Sequence, residues 1–232
     1  MSKRLVKIFF IITTIFILSA FKAEAGLDRN SAAVKPVNYT KNFIDSKILA
    51  DRGDPNAQFN VAVMYEVGQG TTQDFSEAVK WYQKSADQGM PEAQLNIGSM
   101  YSGGKGVHQD YAEAVKWYRK AADQGLAEAQ YNLGTMYGNG LGVEENHIEE
   151  FKWYLKSANQ GFAIAQFNAG VMYAKGESTP WNYTLAYMWF HLATGKRIEG
   201  AWEYRDKCAS LMTHEQIVEA QRMAQAWRPK SD

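Results

Sequence analysis

One pattern of about 36 residues recurs from Gly53 to Ala193, and a period of that length limits the possible folds more than any composition does. Gly53, Gly89, Gly125 and Gly161 are evenly spaced; so are Gly68, Gly104, Gly140 and Gly176, and Trp81, Trp117, Trp153 and Trp189. Ala57, Ala93, Ala129 and Ala165 keep the same step, each followed by Gln58, Gln94, Gln130 or Gln166. Met64-Tyr65, Met100-Tyr101, Met136-Tyr137 and Met172-Tyr173 complete the register.

Each unit predicts two short helices. The first opens just after the leading glycine, as at Asp54-Pro55, where Asp is a good N-cap and Pro suits the first helical position. A glycine loop (Gly68-Gln69-Gly70, Gly104-Lys105-Gly106, Gly140-Leu141-Gly142) supplies the positive φ of a tight turn. The second helix starts at Asp74, Asp110, Asn146 or Asn182, and Glu77, Glu113 and Glu149 suggest a capping-box arrangement. Ala57, Val61, Met64 and Tyr65 form one apolar stripe on the first helix; Phe75, Ala78, Tyr82, Ser85 and Ala86 form another on the second. Ala62, Gly98, Gly134 and Gly170 recur mid-helix, where glycine costs about 1 kcal/mol against alanine and so points to close backbone approach. Neither helix covers its stripe alone, so neighbouring units must stack.

The unit is most complete from Ala93 to Gly125, where it runs A-Q-x-N-x-G-x-M-Y through V-K-W-Y to A-A-D-Q-G, and there it resembles the Sel1-like repeat, a relative of the tetratricopeptide repeat. That resemblance implies an all-α fold: a right-handed α/α superhelix of about four 36-residue helix-turn-helix repeats (54–89, 90–125, 126–161, 162–194) with capping helices. It also implies an adaptor that assembles other proteins, of the exported bacterial type, without a cofactor. A cysteine-rich branch of the family ties each repeat with a disulfide and is associated with β-lactam binding. This chain has only Cys208, so that activity does not transfer.

At the N-terminus, Lys3, Arg4 and Lys7, the apolar run from Ile8 to Phe21, and Ala23-Glu24-Ala25 before Gly26 match the three regions of a secretory signal peptide. The run is 14 residues long, short against the roughly 20 of a spanning helix, which favours cleavage after Ala25 over a retained anchor. Cleavage removes four basic residues and one acid from totals of 25 and 25, leaving a charge of −3, which gives no basic excess for nucleic acid. Residues 26–41 read as a flexible lead-in and 42–53 as a capping half-repeat, since Ala50-Asp51-Arg52-Gly53 aligns with Ala86-Asp87-Gln88-Gly89. In the fourth unit Leu185 and Met188 replace Glu and Lys, making the helix 185–193 apolar nearly all round. The remaining chain, 195–232, is expected to cover it with helices at 199–211 and 214–227, the latter opened by a Thr213/Gln216 capping box.

No catalytic constellation emerges. His108, His147, His191 and His214 have no ligand spacing, so no metal is expected, and Glu144-Glu145 and Glu149-Glu150 sit where a helix dipole favours carboxylates. The recurring Trp-Tyr pairs belong to packing rather than to a carbohydrate platform. Function is expected on the first-helix face opposite the buried stripe, the groove of such a solenoid. Asn60, Asn96, Asn132 and Asn168 repeat there, each with an amide donor and acceptor suited to the backbone of an extended peptide. A structural role for these amides stands beside that reading. Phe59, Leu95, Tyr131 and Phe167 form an apolar row, with Val63, Ser99, Thr135 and Val171 one turn on, as candidates for specificity. The partner expected is another protein or an extended peptide. Two alternatives stay open: an envelope enzyme acting on cell-wall peptides or β-lactams, and a eukaryotic luminal protein, because Asn38-Tyr39-Thr40 and Asn182-Tyr183-Thr184 are glycosylation sequons.

Overall fold

The computed structural model describes residues 38–176 and 178–230; the expected signal peptide and most of the expected lead-in lie outside them. Eleven helices and no strand are found among the described residues: α1 (Tyr39–Asp51), α2 (Pro55–Val67), α3 (Phe75–Asp87), α4 (Pro91–Gly103), α5 (Tyr111–Asp123), α6 (Ala127–Asn139), α7 (His147–Asn159), α8 (Ala163–Lys175), α9 (Tyr183–Thr194), α10 (Ala201–Ala209) and α11 (His214–Ala226). α1 opens at Tyr39, inside the segment assigned to the lead-in. α2 to α9 are the four helix pairs of an α-solenoid, and each helix packs on the next.

Local chemistry sets the helix limits. Asp54 accepts the Ala57 amide at 2.7 Å with Pro55 behind it; Asp74 accepts the Ser76 and Glu77 amides, and Asp110, Asn146 and Asn182 repeat the device. Glu77, Glu113 and Glu149 do not complete capping boxes. Each instead takes the lysine three residues on (Lys80, Lys116, Lys152), because the cap residue's own backbone amide, which a capping box needs, already donates to the carbonyl of Tyr65, Tyr101 or Tyr137 and a cation is in reach. Gly68, Gly104, Gly140 and Gly176 end the first helices in the left-handed conformation, their amides returning to Met64, Met100, Met136 and Met172.

Glycine also sets how closely helices pack, within a unit and between units. A Cβ on Gly98, Gly134 or Gly170 would lie 2.8, 2.9 or 2.8 Å from the ring of Tyr118, Tyr154 or Phe190, so the mid-helix glycines mark the close approach that their cost implied. A Cβ on Gly106 would lie 2.2 Å from the Phe75 carbonyl of the preceding unit.

A second device is buried and polar. Gln58, Gln94, Gln130 and Gln166 are all under 6% exposed, and their amides donate to the carbonyls of Ala50, Ala86, Ala122 and Ala158 at 3.1–3.2 Å. Gln88, Gln124 and Gln160, at the ends of α3, α5 and α7, donate to the side-chain oxygens of Gln58, Gln94 and Gln130 at 2.7–2.9 Å. They donate as well to the turn carbonyls of Gly53, Gly89 and Gly125. Three consecutive elements are thereby locked at each junction, and the buried amides are satisfied.

The tail covers α9 as expected. α11 buries Met188 and Trp189 and half-buries Leu185 and Leu192, with Trp227 edge-on to Trp189 at 6.3 Å. α10 brings Cys208 into a cluster with Phe190 and Tyr187. The predicted capping box is present at Thr213 and Gln216.

Candidate functional site

The face where function is expected is carried by α2, α4, α6 and α8, and its chemistry begins with the tyrosines of the helices behind it. Tyr82 is fully buried and its hydroxyl donates to Glu66 at 2.7 Å. In the next two units Tyr118 donates to Ser99 at 3.2 Å, and Tyr154 meets Thr135 at 3.1 Å. Ser99 and Thr135 spend their own protons on the carbonyls of Leu95 and Tyr131, so the tyrosine is the donor in both pairs. The fourth unit holds Phe190 and Val171 at the same two positions, where neither needs a partner. Val63, Ser99, Thr135 and Val171 thus vary in step with the ring behind them, and Val63 leaves Tyr82 to seek Glu66.

Burial raises the Tyr82 hydroxyl far above its ordinary range, Glu66 adds to the rise, and a hydrogen bond from Asn96 opposes it. Burial also pushes Tyr118 up to about 12 and Tyr154 well above its usual value. These hydroxyls remain protonated donors throughout the physiological range. The Tyr82–Glu66 pair is within hydrogen-bond reach, yet a fully buried phenol held in its neutral form offers no proton to a substrate.

The apolar row turns inward. Leu95 is 8% exposed, and Phe59 is half-buried with its ring 5.7 Å from Tyr82. Tyr131 stacks on Tyr154 at 5.4 Å and touches Phe162; Phe167 is enclosed by Phe190 and by Tyr204 of α10, at 5.5 and 5.2 Å. The tail therefore reaches the fourth-unit end of this face and leaves the Asn60, Asn96 and Asn132 positions to the first three units.

The asparagines behave differently from the glutamines two residues before them. Asn60 is exposed, and Asn96, Asn132 and Asn168 are half-exposed. Asn96 bonds to Tyr82, and Asn168 bonds to Tyr131 and Tyr154. Asn60 and Asn132 make no side-chain hydrogen bond among the described residues, so at least two of the four amides are available. Glu128, one turn before Asn132, is half-buried and its carboxyl is raised by desolvation.

The third unit has its own polar cluster on the same helix pair. Glu150 stands where the other units bury Ala78, Ala114 and Ala186, and Gly138 makes room for it, since a Cβ there would lie 2.3 Å from its carboxyl carbon. Glu150 accepts from His147 at 2.7 Å, which raises the histidine, and Glu145 lies 3.1 Å from the other ring nitrogen. The fourth-unit loop departs in another way. At the position where Gln73 and Gln109 bond back to the carbonyls of Glu66 and Ser102, it carries Trp181, 69% exposed. Trp181, Tyr183, Leu211, Asn182, Thr184 and Gln216 line an open cleft of about 400 Å³. Nothing in the helical period pointed to Glu150 or to this cleft; only departures from the repeat marked them.

The sequence profile of the Sel1 repeat matches residues 55–90, 91–126, 127–162 and 163–194. No curated protein matches the chain by sequence. Among solved structures, a protective antigen of uropathogenic Escherichia coli displaying an SLR fold is 34% identical with a TM-score of 0.76, over 81% of this chain and 40% of that one. The chain thus spans less than half of that antigen's length. A Sel1 repeat protein from Oxalobacter formigenes is 32% identical with a TM-score of 0.69, over 81% of this chain and 76% of that one.

Proposed function

From the chain's membership of the Sel1-repeat family we propose its function: an exported, non-enzymatic adaptor that binds another protein, or an extended peptide of one, along the face of α2, α4 and α6. Repeats of this family generally mediate protein–protein interaction, and no helix among the described residues is long and apolar enough to cross a membrane. One contrast carries the assignment to this face. Of the two polar residues that recur in every first helix, glutamine is buried and bonded inside the stack, whereas asparagine stays at the surface, with Asn60 and Asn132 uncommitted. A ladder of amides about one repeat apart can take alternate donors and acceptors from an extended backbone. Export rests on the signal-like first 25 residues.

The test is the Asn60→Ala/Asn132→Ala chain. Affinity for the partner captured by crosslinking in the native envelope should fall at least tenfold, about 1.4 kcal/mol, with the helical circular dichroism and melting temperature unchanged. An undiminished affinity in the folded variant rejects the ladder as the contact.

A further inference from the structure

The cleft beside α9 lies where a further repeat would seat its loop. At the start of α1, α3 and α5 a loop glycine of the next unit presses on the backbone: a Cβ on Gly70, Gly106 or Gly142 would lie 2.2, 2.2 or 2.3 Å from the carbonyl group of Tyr39, Phe75 or Tyr111. Ser76 then donates to the Gly106 carbonyl at 3.3 Å. Tyr183 and Thr184 hold the positions of Phe75 and Ser76 three periods on. There the turn between α10 and α11 brings Leu211 and Gln216 in place of a glycine loop, and a cleft of about 400 Å³ stays open. The polar groups around it are unspent. Asn182 accepts only the Leu185 amide, where Asp74, Asp110 and Asn146 each accept two, and its Nδ2 donates to nothing among the described residues. Gln216 spends its Oε1 on the Thr213 amide and leaves Nε2 over; the Thr184 hydroxyl has no counterpart to the carbonyl that Ser76 uses.

We propose that this cleft is a binding site for a neutral saccharide, with a pyranose ring laid on Trp181. Trp181 is 69% exposed, and its ring stands 5.4 Å from that of Tyr183 at 49°. A pyranose ring carries C–H groups on its faces and hydroxyls around its rim. The C–H face suits the electron-rich face of an indole, and the rim takes hydrogen bonds from the Asn182 and Gln216 amides and exchanges them with the Thr184 hydroxyl. The composition argues against other ligands. No charged side chain lines the cleft, so an ionic ligand finds no counter-charge, and an alkylammonium between the two rings would leave all three polar groups unpaired. A volume at the small end of the roughly 300–1,000 Å³ of ligand sites fits a short stretch of glycan and a weak affinity. The site is on the fourth unit and does not depend on what the first-helix face binds.

Titration of the full chain with cellotriose and with triacetylchitotriose, followed by saturation-transfer NMR, tests it. At least one of the two should bind at millimolar concentration or below; a response to triacetylchitotriose alone assigns the site to acetamido sugars, and a response to cellotriose shows that the hydroxyl rim suffices. Trp181→Ala, at an exposed position, should weaken binding at least about tenfold with unchanged circular dichroism. Gln216→Glu keeps the capping box, which glutamate serves as well as glutamine, and removes the Nε2 donor; it should weaken binding about fivefold. No binding of either saccharide up to about 10 mM, an affinity undiminished in either folded variant, or a stronger response to choline than to both saccharides would each overturn the proposal.

Discussion

The first three units and the fourth share one fold and treat their outer surface in opposite ways. α3, α5 and α7 show water a repeated pair, Glu77–Lys80, Glu113–Lys116 and Glu149–Lys152, and lay Lys84, Lys120 and Lys156 over Trp81, Trp117 and Trp153 at 3.8, 3.7 and 4.2 Å. α9 has Leu185, Met188 and Leu192 at those positions, and Trp227 takes the place of the lysine over Trp189. The lysine both covers an indole and keeps the surface wet, worth about 0.5–1 kcal/mol at an exposed site. A helix in its place buries far more apolar area and ends the stack. The outer positions of the second helix therefore decide whether a unit is interior or terminal, while the Gln–Gln–Gly lock and the mid-helix glycines decide that it is a unit at all.

The largest effect should come from uncovering the fourth unit. Removing residues 213–232 exposes Leu185, Met188, Trp189 and Leu192, and unfolding in urea should show a loss of about 3–5 kcal/mol. Adding Leu185→Glu, Met188→Lys and Leu192→Lys to the shortened chain should recover its solubility and make α9 resemble α7. If the shortened chain keeps its full stability, α11 is not the cover described.

Next comes the lock. Gln130→Ala removes two buried hydrogen bonds, to the Ala122 carbonyl and from the Gln160 amide, and should cost about 1–3 kcal/mol, although each of those groups keeps a second partner. Gln166→Ala should cost less, because Lys196 stands where a partnering glutamine would be and only the bond to the Ala158 carbonyl is lost. Equal losses in chemical denaturation would show that the inter-glutamine bond contributes nothing. Gly134→Ala should cost about 1–3 kcal/mol by pressing Cβ against the Tyr154 ring.

The smallest effect is electrostatic and confined to the third unit. His147 is raised chiefly by its hydrogen bond to Glu150, so its stabilisation is fully present below its unfolded value of about 6.5 and fades as pH climbs through the raised folded value. The melting temperature should drift down slightly from pH 6.5 to 8, and His147→Ala should abolish that drift.

Caps, turns and close approaches were legible in the sequence because each is a local demand with a narrow set of residues able to meet it: Asp54 before Pro55, glycine at Gly68, no side chain at Gly98. The apolar row was less legible. A helical wheel sorts the faces of one helix against one neighbour, whereas each first helix has neighbours on two sides, and their combined reach draws Leu95 and Phe59 inward. The invariant glutamines were visible as letters, but their bonds span 8 and 30 residues and no local pattern states them. Glu150 was read only as a carboxylate favoured by the helix dipole, and its packing was missed for a related reason, since its space is made by a missing side chain twelve residues away at Gly138.

The first-helix face is the central claim, and site-specific photocrosslinking in the native envelope addresses it most directly. A photoreactive residue at position 132 should capture a discrete polypeptide, while the same residue at position 116, on the outer surface of α5, should capture none. Adducts from position 116 alone, or equally from both, would contradict the account.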